Sequence, residues 1–473
     1  MGIFTSAQRL LGRDYSKKAE EDFQIHSIMS GEMEAWVNEC ANIYRGNPCW
    51  LDPSDHIDTV AFAKSICSEV ARLVTKSVGI TLSGSRRADW LQEQVDKIFF
   101  RLRHWVEYGC AYGTIILKPN GDSVSLFLPG EFTVTETKDG QIRGIVFYDT
   151  QSDASGKRWY TRLEYHRFEN EQYRITNKCY VGYAKGNISR PIDISLTPWR
   201  NLAGEVAIVN LEKPLFGVVR TPQANNIDVD SPLGLPIFSE AVQELRDLDI
   251  AYSRNSKEIR DSKRTVLLDS DVMLPVGDST RITAYSMELQ RDAMGLPDIV
   301  KNVHGNGTER YYQEINPTLQ TETRTIGING LLNQIGFKCG FSNGHFVFNE
   351  SSGIQTATQV EADQQRTIQL VKDVRDQLED CIRGLVYALD AFASLYNLAP
   401  AGTFNLEGAI HFDDIAYSFE EDRMHHYQLA MQGKYPWEEY FVQYLKVSRE
   451  EAKQLLAMAK AEQTNVPLFG SEE

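Results

Sequence analysis

The chain contains no Cys-x-x-Cys pair, and its seven cysteines (Cys40, Cys49, Cys67, Cys110, Cys179, Cys339 and Cys381) are an odd number. That excludes a fully paired disulfide framework and a zinc ribbon, and predicts free thiols in a reducing compartment. The only Gly-Lys pairs stand in "SGKR" and "QGKY", so the glycine-rich cradle of a P-loop ATPase is missing. HExxH does not occur. No apolar run is long enough to span a membrane, and "MGIFTSAQRLLGRDYSKK" has no signal-peptide core. Gly2 with Ser6 fits the short N-myristoylation pattern, which chance often meets. Positive charge is scarce: 49 Lys and Arg stand against 65 Asp and Glu, a formal net charge of -16. Such a surface repels nucleic acid in bulk, so any contact with DNA is local or weak. There is no internal repeat and no low-complexity tract.

What is present is foldable: 42% hydrophobic and 10% aromatic residues over 473 positions, enough for two to four structural units. Residues 20–110 read as helices. Val60, Ala63, Ile66, Val70 and Val74 keep helical spacing, as do Leu91, Val95, Ile98, Leu102 and Val106. From about 113 to 215 the period changes to two, with turn signals such as Asp139-Gly140, predicting an antiparallel β layer. Pro232 and Pro236 then lead into a helix expected over 237–262, roughly 39 Å long, with Ile237, Ala241, Leu245, Leu248, Tyr252 and Ile259 as its apolar stripe. A short-period insertion over 263–316 precedes a second helix, "TLQTETRTIGINGLLNQIGFKCG". Its three glycines, Gly327, Gly330 and Gly336, each cost about 1 kcal/mol relative to Ala in a helix interior. Either helices pack closely there, or the segment is not one helix.

A glycine-spaced stretch, "CGFSNGHFVFNESSG", leads into "GIQTATQVEADQQRT", where Thr358 and Glu361 have capping-box spacing. A long helix is expected from about 358 to 396, along Val360, Thr367, Val371, Val374, Leu378, Cys381, Leu385 and Phe392. A strand-like "GAIHFDD" and two helices with capping boxes (Ser418 with Glu421, Ser448 with Glu451) close the chain.

Two polar clusters admit chemistry. "HFDDIAYSFEEDRMHH" holds His411, Asp413, Asp414, Glu420, Glu421, Asp422, His425 and His426. Such ligands suit a metal-dependent phosphoesterase. The plainer reading is a strand end and a solvated first helical turn, where acids suit the positive helix terminus. Arg254, Lys257, Arg260, Lys263 and Arg264 are either phosphate contacts or cations favoured at a helix C-terminus.

The order helical-plus-β region, long helix, insertion, second helix, glycine-flanked loop and long helix resembles the portal proteins of tailed bacteriophages, in particular the siphovirus group of Gram-positive hosts. The segments that carry the resemblance are "YRGNPCW", "EYGCAYGTIILKP", "NNIDVDSPLGLPIFSEAVQELRDLDIAY", "GIQTATQVEADQQRT" and "IHFDD", and together they span nearly the whole chain. None is a catalytic signature; their joint order is the signal. The resemblance implies an α+β, mainly helical portal fold assembled as a ring, usually of twelve subunits, at one capsid vertex. It implies a wing at 1–235, stem helices at 236–262 and 317–340 around a clip at 263–316, a tunnel loop at 341–357, a long wing helix at 358–399, and a crown at 400–473 that is short here. Double-stranded DNA passing through the channel, the terminase large subunit, a head-completion adaptor, and the major capsid and scaffolding proteins are the implied partners. No cofactor, metal, membrane or catalytic activity is expected.

On this reading Asn343, His345, Phe346 and Asn349 are the channel residues, and Lys301 and Arg310 are clip contacts. "FSNGHFVFNESSG" has neither Lys nor Arg, so it makes no salt-bridge grip on phosphate. Phe341, Phe346 and Phe348 are expected to pack the loop against neighbouring loops rather than stack on bases.

Overall fold

The computed structural model describes residues 15–52, 54, 56–76, 78–121, 123–262, 265–269, 299–303, 312–315, 318–347, 357–412, 426–432, 434–444, 452–453 and 456. Helix takes 44% and strand 21%, a mixed α and β class in which helix is the larger share. The chain divides into a unit over 1–411 and a smaller one over 412–473.

The first unit opens with α1 over 15–23, α2 (Gly31–Tyr44) and α3 (Phe62–Val74), followed by the short strand β1 (Val78–Ile80). Ser30 caps α2 by accepting from the Met33 N–H. The expected stripe of α3 is buried at Ala63, Ile66, Val70 and Val74, whereas Val60 precedes the helix. The next periodic run forms two helices, α4 (Arg86–Phe99) and α5 (Leu102–Tyr112). The chain breaks at Phe100 and Arg101, yet all five expected apolar positions of the run stay buried.

The β layer follows: β2 (Thr114–Asn120), β3 (Ser123–Phe127), β4 (Phe132–Lys138), β5 (Gln141–Ser152), β6 (Trp159–Glu169), β7 (Gln172–Gly182), β8 (Arg190–Ile192), β9 (Glu205–Val209) and β10 (Gly217–Arg220). Every pairing among them is antiparallel, as the alternation predicts. One sheet has the order β10-β2-β3; the other runs β4-β5-β6-β7, with β8 and β9 sharing the far edge of β7. Asp139 and Gly140 both have positive φ, the geometry of the two-residue hairpin turn joining β4 to β5. Both faces of the larger sheet are covered. Ile145 and Phe147 pack on Ile116 and Phe127 of the smaller sheet, on Phe216 just before β10, and on Met33 and Val37 of α2. Val146 and Tyr148 turn the other way, toward Tyr15 and Ala19 of α1.

The helix expected from 237 begins later. Ser239–Ala241 is a single 3-10 turn, and α6 is Val242–Asp261, twenty residues or about 30 Å. The reason is local: the Ile237 N–H is committed to the Cys110 carbonyl of α5 at 2.9 Å, so the chain is still crossing the body there. In the insertion, β11 (Thr265–Asp269), β12 (Ile299–Val303) and β13 (Tyr312–Ile315) form a sheet of order β12-β11-β13, parallel on one side and antiparallel on the other. Then come α7 (Thr321–Lys338) and α8 (Ala357–Leu395). The glycine-rich segment is therefore one helix. The long helix runs for 39 residues. It starts one position before Thr358, which places Thr358 inside the first turn rather than at the cap. β14 (Ile410–Phe412) pairs with β1.

α8 lies across β10 and β2. Two glycines set that crossing: a Cβ on Gly217 would meet the Cys381 carbonyl oxygen at 2.3 Å, and one on Gly384 the Phe216 oxygen at 3.2 Å. α8 also closes the end of α3, because the buried Arg375 guanidinium donates to the carbonyls of Leu73, Val74 and Lys76. In the second unit the chain is helical over 426–431 (α9) and in α10 (Trp437–Tyr444), where Tyr427, Trp437, Tyr440 and Phe441 form an aromatic cluster. The capping boxes expected at Ser418 and Ser448 lie outside the described residues.

Candidate functional site

α6 and α7 form an antiparallel pair pinned at both ends. At one end Lys338 Nζ donates to Glu244 Oε1 (2.5 Å) and to the Glu240 carbonyl (3.0 Å), and Gln334 also reaches Glu244. At the other, Arg324 pairs with Glu258, which also accepts the Gln320 N–H at 2.9 Å. The two anchor points are fourteen positions apart on each helix, about 21 Å, so the helices lie side by side along that length. The inward faces are apolar: Leu245 and Leu248 on α6, and Ile328, Leu332 and Ile335 on α7.

The outward faces are not what a lone helix pair requires. The α6 stripe stays buried through Leu248 and then surfaces, leaving Tyr252 and Ile259 exposed. On α7, Thr323, Ile326, Gly327, Gly330, Gln334 and Phe337 share one exposed face, and Ile326 is 73% exposed. Beside Gly327 and Gly330 a Cβ would find nothing within 4 Å. Of the three glycines expected to mark close packing, Gly336 is packed, since a Cβ there would meet Phe346 at 3.4 Å, whereas no described residue of this chain packs against Gly327 or Gly330. Arg254, Lys257 and Arg260 are exposed on α6; Lys263 and Arg264 lie outside the described residues.

The segment after α7 is a built turn. Gly340 (φ 89°) and Phe341 send their N–H groups back to the carbonyls of Phe337 and Gly336, the Schellman stop of a helix. Ser342 and Thr367 of α8 exchange hydrogen bonds: the Ser342 N–H donates to Thr367 Oγ1 (2.9 Å), and the Thr367 N–H to Ser342 Oγ (3.2 Å). The Gly344 N–H donates to Asn333 Oδ1 at 2.8 Å. Phe341 is fully buried; Phe346 packs edge-on against it and against Phe62 of α3. His345 lies tilted against Phe341 and edge-on to Phe346, and its Nε2 lies 3.4 Å from Glu69 Oε1. Arg72 grips Glu69 through two nitrogens and holds its carboxyl below the usual range; burial lowers the His345 imidazole against the pull of Glu69.

Of the residues expected in a channel loop, Asn343 is exposed, whereas His345 and Phe346 sit in this cluster against α3 of the same chain. Phe341 and Phe346 therefore pack on helices of their own chain, where the sequence suggested neighbouring loops. Asn349 and Phe348 lie outside the described residues, as does Arg310. Lys301 stands in β12 opposite Leu267 of β11. Sequence reasoning missed Phe62, Glu69, Arg72 and Asn333 as partners of this turn. Glu69 and Arg72 stand three apart on a helix, the spacing of an ordinary surface pair, so nothing local marks them as partners of a distant turn.

Of the acidic and histidine cluster near 411–426, only His411 and His426 are described. His411 is on β14 beside Gly79, where a Cβ would strike its ring; His426 packs on Tyr435 in the second unit. Among the described residues no group of three or more His, Cys, Asp or Glu can hold a metal ion. All seven cysteines are free thiols, and burial pushes Cys40 and Cys110 up to about 12. No described helix is long and apolar enough to cross a membrane. Neither the known protein families nor the curated proteins give a match to this chain.

Proposed function

We propose that this chain is a portal-type subunit: a structural protein that assembles into a ring, about twelve copies around, through which double-stranded DNA passes. The observation that carries the reading is the α6–α7 pair. Its two helices are locked to each other by ion pairs, yet they leave Tyr252, Ile259, Ile326, Phe337 and two open glycines facing outward. A face of that kind is satisfied by a neighbouring copy, and a heterologous contact repeated by rotation closes a ring. The small sheet β11–β13 sits between the two helices in the chain, where the clip of such a subunit belongs, and the 39-residue α8 packs back onto the β layer as a wing helix does.

On this reading the ring stands at one capsid vertex of a virion, assembled in the host cytoplasm with capsid and scaffolding proteins. The terminase supplies the motor, and an adaptor replaces it at the clip, with Lys301 and Arg310 as clip contacts. Asn343 and Asn349 offer the DNA polar, uncharged side chains. The chain itself is not an enzyme and needs no cofactor. Negative-stain microscopy of the purified protein tests this directly. Rings with a central opening are expected; a chain that stays monomeric in light scattering at every salt concentration refutes it. A DNA-cleaving activity abolished by Asp413→Ala would favour the phosphoesterase instead.

A further inference from the structure

A buried charge network joins the two sheets. From β6, Arg162, Glu164 and His166 point to one face, as alternate strand positions must. All three are buried, and so is Lys118, which reaches them from β2. Glu164 sits at the centre: its Oε2 pairs with Lys118 and with Arg162 (3.0 Å), and its Oε1 lies 3.0 Å from His166 Nε2. Arg162 also reaches Asp149 of β5 at 3.4 Å, and Asp149 accepts the Trp199 indole N–H at 3.1 Å. On the far side of the imidazole, Nδ1 lies 2.8 Å from the hydroxyl of Tyr173 on β7. That hydroxyl already accepts the Leu215 N–H, so it donates its own proton to Nδ1. His166 therefore carries its single proton on Nε2 and gives it to Glu164. Phe147 and Phe216 close the cage around the ring.

With a neutral imidazole the two cations, Lys118 and Arg162, balance the two anions, Glu164 and Asp149. A second proton on His166 would add an uncompensated charge and set the new Nδ1–H against the Tyr173 hydroxyl. The Arg162 Nε–H already lacks a partner, so the site has no spare acceptor for another donor. The network also ties down more than itself. Lys118 belongs to the sheet on which α8 rests, and Leu215 leads directly into β10 at the Gly217 crossing. Among the described residues three further ionisable groups lie near this cluster: Tyr387 of α8, whose hydroxyl accepts the Glu212 N–H, Cys179 of β7 opposite Arg162, and Glu131, which feels Asp149.

We propose that His166 is the proton-sensitive bolt of this sheet-to-sheet lock: uptake of one proton there releases the β10-β2-β3 sheet, and α8 with it, from the larger sheet. The sign follows from the environment. Burial lowers the imidazole below its ordinary value of about 6.5, against the pull of Glu164, so the folded state binds fewer protons than the unfolded one and the lock weakens as pH falls below about 6.5. One proton gives up to a tenfold change in the open population per pH unit.

The test is hydrogen exchange of the full chain between pH 4.5 and 7.5, corrected for intrinsic exchange rates, in the wild type and in His166→Gln. Glutamine can give its amide N–H to Glu164 and accept from Tyr173, but it does not titrate. Wild-type amides of 114–120 and 215–220 should lose protection as pH falls, by up to tenfold per unit, while those of 62–74 hold; in His166→Gln the loss should be absent. Equal pH dependence in the two proteins overturns the proposal. If the variant does not fold, histidine NMR of the wild type decides: a His166 ring that gains its proton while protection at 114–120 stays constant overturns it too.

Discussion

If the chain assembles as proposed, replacing Gly327 and Gly330 with alanine should pull the stability of one copy and its assembly in opposite directions. Both glycines are inside α7 and exposed, and a Cβ at either meets nothing within 4 Å. In such a position alanine restricts the unfolded chain and favours the helix by about 1 kcal/mol, so the double variant should gain about 2 kcal/mol. That gain belongs to the chain alone and should be seen as a higher urea midpoint at a dilution where the protein is monomeric. If the same face is covered by a neighbouring copy, the added methyls push apart helix axes that the glycines let approach closely. Overpacking at such a contact costs about 1–3 kcal/mol, and a closed ring repeats it at every interface. Sedimentation should then show rings that form only at higher protein concentration. If the monomer gains no stability, the space beside the glycines is filled in the folded chain and the argument is wrong at its base. If the monomer is stabilised and rings form as before, α7 does not face its neighbour.

Four further outcomes are expected. Gly217→Ala places a methyl about 1 Å too close to the Cys381 carbonyl oxygen and should destabilise the chain by about 2–3 kcal/mol in urea unfolding, since the atom it strikes first is backbone and cannot swing aside. Arg375→Met leaves the carbonyls of Leu73, Val74 and Lys76 without their charged donor; a loss of about 3 kcal/mol, with faster exchange at the end of α3, is expected. Glu164→Gln leaves Lys118 and Arg162 buried with their shared anion gone and should cost about 3–5 kcal/mol. The wild-type carboxyl is raised by burial but brought well below the ordinary range by Lys118 and Arg162 together, so its contribution is present above about pH 4.3 and lost as pH falls through its lower folded value. If the chain is the portal-type subunit proposed, Asn343→Lys should leave rings intact and slow DNA passage more at low salt than at high, because each added cation neutralises phosphate with a slope near -0.9 in log affinity against log salt; a defect equal at both salts speaks against a charge effect at this position.

The local elements were legible because local forces set them. Apolar steps of three and four residues gave α8 within one residue of its start, and Asp139-Gly140 gave the hairpin turn, since both central residues take positive φ. Gly340 could have been read as a helix stop on the same ground. The candidate site was legible as a segment only. Asn343, His345 and Phe346 do share a turn, but its partners Phe62 and Glu69 lie far away in sequence, and nothing local announces them.

Periodicity says which residues share a face; it does not say what will cover that face. Arg162, Glu164 and His166 alternate along β6 as a solvated polar edge would, and only the arrival of Lys118 from another sheet makes them a buried network. The apolar stripe reads the same in sequence from Ile237 to Ile259, yet the part through Leu248 is core and the part beyond it in α6 faces outward. Sequence by itself determined helix, strand and turn, because these rest on neighbours a few residues apart. Tertiary structure decided burial, charge pairing and the open face of α7, because each depends on what a distant part of the chain brings within a few ångströms.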